Sequence, residues 1–251
     1  MYNPMLSKSQ IQHVKSLRSK KFRQKYNQFI IEGEKAVNEL LDSRLDIEHI
    51  YGTAIWADSY KKAAEKNIFT LVKNDELERL SGFEQPNKVL AVATIPHIVF
   101  TDDVFNRPIT IVLDNIQDPG NLGTIIRIAD WYGITDIICS ENTTDVYNPK
   151  VINATMGSFL RVNVHYVNLE EVLEGRYHSV YACVTDGEPV YSLQKFDTAI
   201  LLIGNEGKGV SQNLLDKAGH KISIPARGKA ESLNAAVATA VVVDNLVRIL
   251  P

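Results

Sequence analysis

The apolar positions of this chain change their period repeatedly, and the changes mark out an α/β protein. In FIIEGEKAVNELLDS (29–43) a short apolar run gives way at Gly33 to apolar positions three and four apart, which predicts a strand and then a helix. The alternation continues with IEHIYGT as strand, SYKKAAEKN as helix, FTLV as strand, NDELERLSG as helix and KVLAVAT as strand. From residue 109 it becomes cleaner. ITIVLDN, DIICS, VNVHYV, SVYACVT, AILLIGN and KISIP are predicted strands, with helices starting near Asn121, Tyr147, Leu169, Gln212 and Ser232. Apolar strands alternating with helices predict a mostly parallel sheet covered on both faces. The final helix, SLNAAVATAVVVDNLVRIL, is apolar on nearly every face as far as Asp244. Such a helix is expected to be buried on more than one side, by the sheet and by a second subunit.

The pattern divides the chain into a small α/β domain over 1–95, a connection over 96–108 bracketed by two prolines, and an α/β domain over 109–251. A length of 251 residues with 45% hydrophobic content suffices for one large core or two smaller ones. No apolar run approaches the roughly 18 residues of a membrane span, and the amino end, MYNPMLSKSQIQHVK, is polar and basic. Cys139 and Cys183 lie in apolar strand-like runs and are expected to be reduced and structural in a cytoplasmic protein.

The net charge of −3 conceals an asymmetry. Residues 1–28 carry Lys8, Lys15, Arg18, Lys20, Lys21, Arg23 and Lys25 and no acidic residue; residues 1–95 hold 15 basic against 12 acidic, the remainder 12 against 18. A positive arm on an otherwise acidic protein points to phosphates, most simply those of nucleic acid. A solvated first helix explains the same charges. Phe22, Tyr26 and Phe29, interleaved with them, fit either stacking on unpaired bases or the helix's core side.

Three segments repeat one design, an apolar strand running into a turn rich in glycine and small polar residues: ITIVLDNIQDPGNLGTIIRIADWYGI (109–134), LLIGNEGKGV (201–210) and ISIPARGKAESLNAAVATA (222–240). Open α/β sheets bind ligands at such carboxyl-terminal strand ends. The common site types are excluded. No G-x-G-x-x-G follows a strand, and the loop at Gly204 has Val210 where a phosphate loop requires lysine. No G-x-S-x-G elbow occurs, and the six histidines show no metal-ligand spacing.

In order and spacing, PGNLGTIIRIADWYGI, LLIGNEGKGV and IPARGKAESLNAAVATA resemble the three motifs of the SpoU/TrmH family of RNA ribose 2′-O-methyltransferases, and FIIEGEKAVNELL resembles the opening of that family's substrate-binding domain. The resemblance implies a parallel-sheet α/β methyltransferase domain whose carboxyl end forms a trefoil knot, preceded by a small α/β RNA-binding domain. It implies S-adenosylmethionine as cofactor, held in a bent shape by the loops after 201–204 and 222–225. A structured RNA, ribosomal or transfer, is the implied partner, and a homodimer with the last helix in its interface the implied assembly.

By the same resemblance Arg127 is the first motif's arginine, and Asn121, Glu206, Ser232 and Asn234 are its polar companions. An arginine is a permanent cation and a poor base, so two roles stay open. It acts together with the substrate's phosphate, or it positions phosphate and stabilises the developing alkoxide. Asn121 either caps its helix or fixes Arg127 or the substrate. Glu206 orients Arg127 or a backbone N–H, or meets the sulfonium. Ser232 reads as a helix cap with a family role in binding. Gly204, Ile224, Ala226 and Leu233 are the implied walls of the adenine pocket, with Ala226 standing where many relatives carry Met. Two rival readings remain, an RNA-binding module without catalysis and an unrelated nucleotide-binding α/β enzyme.

Overall fold

The computed structural model describes residues 6–83 and 87–250; the first five residues of the basic arm lie outside them. The chain forms two compact units: one runs to His97 and also takes in Tyr147–Leu160, and the other is Ile98–Val146 with the chain from Arg161 onward. In chain order the elements are α1 (Lys8–Ser16), α2 (Lys20–Tyr26), β1 (Gln28–Glu32), α3 (Glu34–Leu41), β2 (Ile47–Gly52), α4 (Ala54–Ser59), α5 (Lys61–Ala64), β3 (Phe69–Leu71), α6 (Asn74–Leu80) and β4 (Val89–Thr94). There follow β5 (Ile109–Leu113), α7 (Pro119–Trp131), β6 (Asp136–Ser140), α8 (Pro149–Thr155), β7 (Asn163–Val167), α9 (Leu169–Val172), β8 (Val180–Pro189), β9 (Ala199–Ile203), α10 (Gln212–Leu215), β10 (His220–Ser223) and α11 (Ala235–Ile249).

The first unit is built on a mixed sheet of order β1-β4-β2-β3. The two-residue period of its strands feeds two cores. Phe29, Ile31, Ile50, Val89, Ala91 and Ala93 face Val37, Leu40 and Trp56, together with Ile152 and Phe159 from the α8 segment. Ile30, Tyr51, Leu90 and Val92 face the other way, onto Leu6, Ile11, Val14, Leu17, Leu77 and Leu80. Phe29 is therefore a core residue, its ring centroid 4.6 Å from that of Tyr147, and is closed to stacking on a base. Arg23 is closed to phosphate for a similar reason. It is 2% exposed, and its guanidinium donates to the Leu17 and Arg18 carbonyls at 2.9 and 2.8 Å.

The second unit holds a six-stranded sheet of order β10-β8-β9-β5-β6-β7, parallel throughout. Its central strands β5 and β9 are buried at every position, as strands covered on both faces must be. The chain steps outward from β5 through β6 to β7, then crosses to β8 and returns to β9 beside β5. That reversal opens a crevice beyond the carboxyl ends of β5 and β9, where doubly wound sheets take their ligands. The loops 114–118 and 204–210 emerge there.

Two helix starts differ from the sequence expectation. Asp118, not Asn121, caps α7, accepting a hydrogen bond from the Asn121 N–H at 2.8 Å, and Pro119 occupies the first turn. A carboxylate cap followed by a residue with a preset φ fixes the start three residues early. At the other end, Asn234 rather than Ser232 caps α11, its Oδ1 accepting from the Ala236 and Val237 N–H groups at 3.0 and 3.2 Å. Ser232 lies in the preceding loop.

Candidate functional site

The crevice is organised from the end of β5. Asn115 adopts a left-handed φ of 58°, which turns the chain away from the strand, and its N–H donates to Ser140 Oγ at the end of β6 (2.8 Å). Asp114, nearly buried, accepts from the Ser211 N–H at 2.8 Å. Asn205 Nδ2 donates to the Asn115 carbonyl at 2.8 Å. The loops after β5 and β9 are thus tied to each other at two points before any ligand is considered.

The loop after β9 is closed on itself. Asn205 and Gly209 exchange backbone hydrogen bonds at 3.0 and 2.9 Å, and Asn205 Oδ1 accepts from the Gly207 and Lys208 N–H groups at 3.0 and 3.1 Å. Gly209 has φ +70°, a conformation that favours glycine. A Cβ at Gly204 would collide with the backbone of Gly209 and Val210. The glycine at 204 is therefore demanded by the loop's own return path.

Three polar side chains from the three motif segments form one chain of hydrogen bonds. Asn234 Nδ2 donates to Asn121 Oδ1 at 2.7 Å, and Asn121 Nδ2 donates to Glu206 Oε1 at 2.7 Å. Asn234 Oδ1 is engaged by the α11 N-terminus, so the orientation of each amide follows from its neighbour. The carboxylate at one end and the helix N-terminus at the other complement each other electrostatically. Asn121 is hence neither a simple cap nor a contact of Arg127.

Arg127 stands six residues further along α7. Six residues advance the helix about 9 Å and turn it away from the Asn121 face. Its side chain is exposed and makes no hydrogen bond or ion pair among the described residues. Glu206 does not orient it here, since the carboxylate binds Asn121. An exposed cation fixed only by its helix is suited to receive an anion from outside.

The loop between β10 and α11 is open, with Pro225 to Asn234 all exposed. Leu233 is 49% exposed and Ile224 half-buried; Ala226 and Ser232 stand in water, and Ser232 makes no side-chain hydrogen bond among the described residues. A large aliphatic side chain left uncovered suits a flat, partly apolar ligand such as an adenine ring. The sequence points to the nine site positions but not to Asp114, Asn115, Asn205 and Asp118. The Asp-Pro pair at 118–119 is the signal for the last of these; the others act through contacts with no local signature.

Comparison with known proteins identifies the family. A model of the SpoU rRNA Methylase family matches residues 108–244, and one of an MRM3-like substrate binding domain matches residues 8–91. The 23S rRNA (guanosine(2553)-2′-O)-methyltransferase RlmP of Bacillus subtilis (strain 168) is 33% identical over 240 residues, covering 92% of this chain and 93% of that protein. A solved structure of a TrmH-family protein from Porphyromonas gingivalis superposes with TM-score 0.85 at 32% identity, covering 97% of this chain and 98% of the other. The AdoMet-bound rRNA methyltransferase of Sinorhizobium meliloti superposes with TM-score 0.86 at 28% identity, covering 98% and 97%.

Proposed function

The chain belongs to the SpoU rRNA methylase family, and from that premise we infer that it is an S-adenosylmethionine-dependent methyltransferase acting on ribose 2′-hydroxyls of RNA, with ribosomal RNA as its substrate class. The observation that carries this reading is the hydrogen-bonded chain Asn234–Asn121–Glu206, which joins all three motif segments at the carboxyl end of the sheet. S-adenosylmethionine, when bound, supplies a methyl carbon activated by a sulfonium. Gly204, Ile224, Ala226 and Leu233 would hold it through backbone and apolar contact. Glu206 adds negative charge on that side of the crevice.

Arg127 takes the RNA side. Its guanidinium pairs with a phosphate and sets the adjacent ribose in line with the methyl group. As the hydroxyl oxygen attacks, the same cation stabilises the developing alkoxide. Methyl transfer to the 2′-oxygen would leave the cofactor as its thioether, and the hydroxyl proton would pass to solvent or the neighbouring phosphate, because an arginine does not accept it. Asn121 and Asn234 hold the loops in register for this step, and the unengaged hydroxyl of Ser232 contacts cofactor or substrate.

Residues 1–95 bind RNA, 96–108 connect, and 109–251 catalyse. The assembly is a homodimer, supported by Trp131 at 84% exposure, Val237 at 49% and Val247 at 36% on α7 and α11, which pack together. A knotted carboxyl-terminal path is proposed from membership of the family, whose model covers residues 108–244. The unpaired Cys139 and Cys183 support a reducing, cytoplasmic setting.

The test is methyl transfer from labelled S-adenosylmethionine to total RNA of cells lacking the gene, followed by ribose-methylation mapping. One ribose that regains its signal supports the reading. Cofactor binding without transfer to any RNA would overturn it in favour of a binding module.

A further inference from the structure

Most aromatics of the first unit point into its two cores, but Phe22 and Tyr26 belong to neither. They sit on α2 at i and i+4, rings 6.2 Å apart and 14° from parallel. His13 of α1 meets the Tyr26 ring edge at 4.8 Å and is fixed through Nε2 to Gln28 Oε1 at 2.8 Å. Tyr26 is 40% exposed, and its hydroxyl has no partner among the described residues. The helix places it at a corner, because Asn27 follows with a left-handed φ of 53° and is held to the Ile95 carbonyl at 3.2 Å. Lys25 Nζ lies 5.2 Å from the Tyr26 ring centroid.

The core side of α2 is held by Arg23, so the aromatic pair contributes nothing there. What surrounds it is positive. Lys15, Lys20, Lys21 and Lys25 are all exposed, none has a carboxylate partner among the described residues, and residues 1–28 contain no acid. A flat π surface ringed by cations without anions matches single-stranded nucleic acid, whose bases stack on aromatics while its phosphates meet lysine. A duplex hides its base faces and matches only the lysines.

We propose that Tyr26, backed by Phe22 and His13, is a stacking platform for an unpaired base of the RNA, with Lys20, Lys21 and Lys25 on the flanking phosphates. The proposal rests on the RNA-methyltransferase reading and names the RNA feature its first unit takes: an unpaired loop.

The probes are a labelled RNA hairpin with a ten-nucleotide loop and a blunt RNA duplex of equal length, titrated with the full-length protein. Wild type is expected to prefer the hairpin. Tyr26→Ala should weaken hairpin binding about 10-fold, the scale of one missing base–aromatic stack, and leave the duplex unchanged. Tyr26→Phe, which keeps the ring, should stay within about twofold of wild type. Thermal unfolding and S-adenosylmethionine titration should be the same for all three proteins. Equal losses on hairpin and duplex, wild-type hairpin affinity in Tyr26→Ala, or no wild-type preference for the hairpin would each overturn the platform. Because binding is read without turnover, failure of methyl transfer leaves this result standing, and failure of the platform leaves methyl transfer intact.

Discussion

On α1 and α2 the lysines stand in water without carboxylate partners among the described residues, whereas in the crevice of the second unit Glu206, Asn121 and Asn234 are hydrogen-bonded in one chain. The first arrangement acts at a distance and is redundant: if one charge is removed, the others still attract phosphate. The second acts only through fixed geometry, and removing one member strands its neighbours. Losses should therefore be graded and salt-dependent in the first unit, and steep and salt-independent in the second.

The largest effect is expected from Gly204→Val. A branched side chain there meets the Gly209–Val210 backbone, which has no flexible end to move aside. The loop must open, and with it the hydrogen bonds between Asn205 and Gly209. Calorimetric titration should find no S-adenosylmethionine binding, and the thermal midpoint should fall by several degrees. Wild-type values for both would break the picture of a rigid crevice.

Arg127→Ala comes next and separates chemistry from binding. The side chain supports no other residue, so the fold and cofactor affinity should be nearly unchanged while turnover falls about 100-fold or more. If Arg127→Ala turned over at the wild-type rate, the cation would have no part in the reaction.

Asn121 tests the hydrogen-bonded chain itself. Asn121→Ala removes both of its links and should lower turnover about 10-fold by loosening the loops. Asn121→Asp should be worse near neutral pH, because its carboxylate would stand beside that of Glu206. Two carboxylates at hydrogen-bond distance share one proton as the pH falls. The deficit of the Asp variant should then shrink toward acid pH, while that of the Ala variant should not. Parallel pH–rate profiles for the two variants would mean Asn121 and Glu206 do not communicate.

This contrast also explains what is legible in the sequence. The buried strands β5 and β9 are plain as unbroken apolar runs, and the three motif loops as glycine-rich ends to such runs. Arg127, Glu206 and Asn234 are found by their place in those motifs. The shared partner of Glu206 and Asn234 is not, because Asn121 to Glu206 spans 85 residues and Asn121 to Asn234 spans 113. The α8 segment gives no sign that it packs with the first unit, since Ile152 and Phe159 have the pattern of any buried helix. Helix caps are ambiguous where two plausible residues compete: Asp118 against Asn121, and Ser232 against Asn234. Charge is legible in amount and not in use. Arg23 looks like its lysine neighbours in sequence, yet it is buried and bound to backbone carbonyls.

The smallest effect expected is on the arm, where Arg23 supplies the contrast. Replacing Lys20, Lys21 and Lys25 with Gln removes three exposed charges and disturbs no packing. The slope of log affinity for single-stranded RNA against log salt should shrink by about 2, since each phosphate left unneutralised takes about 0.7 from it. The weakening should be similar across RNA sequences, because backbone contacts position without specifying, and S-adenosylmethionine binding should not change. Arg23→Gln should do the reverse. Its hydrogen bonds to Leu17 and Arg18 join α2 to the end of α1, and charged bonds of this kind contribute on the order of 1.5–3 kcal/mol. The shorter amide cannot span both carbonyls, so the thermal midpoint should drop by several degrees while the salt slope stays at the wild-type value. RNA binding at several salt concentrations, with thermal unfolding of each variant, reads both quantities. A reduced slope in Arg23→Gln, or an unchanged one in the triple variant, would mean that the division between structural and binding charge in this arm is drawn in the wrong place.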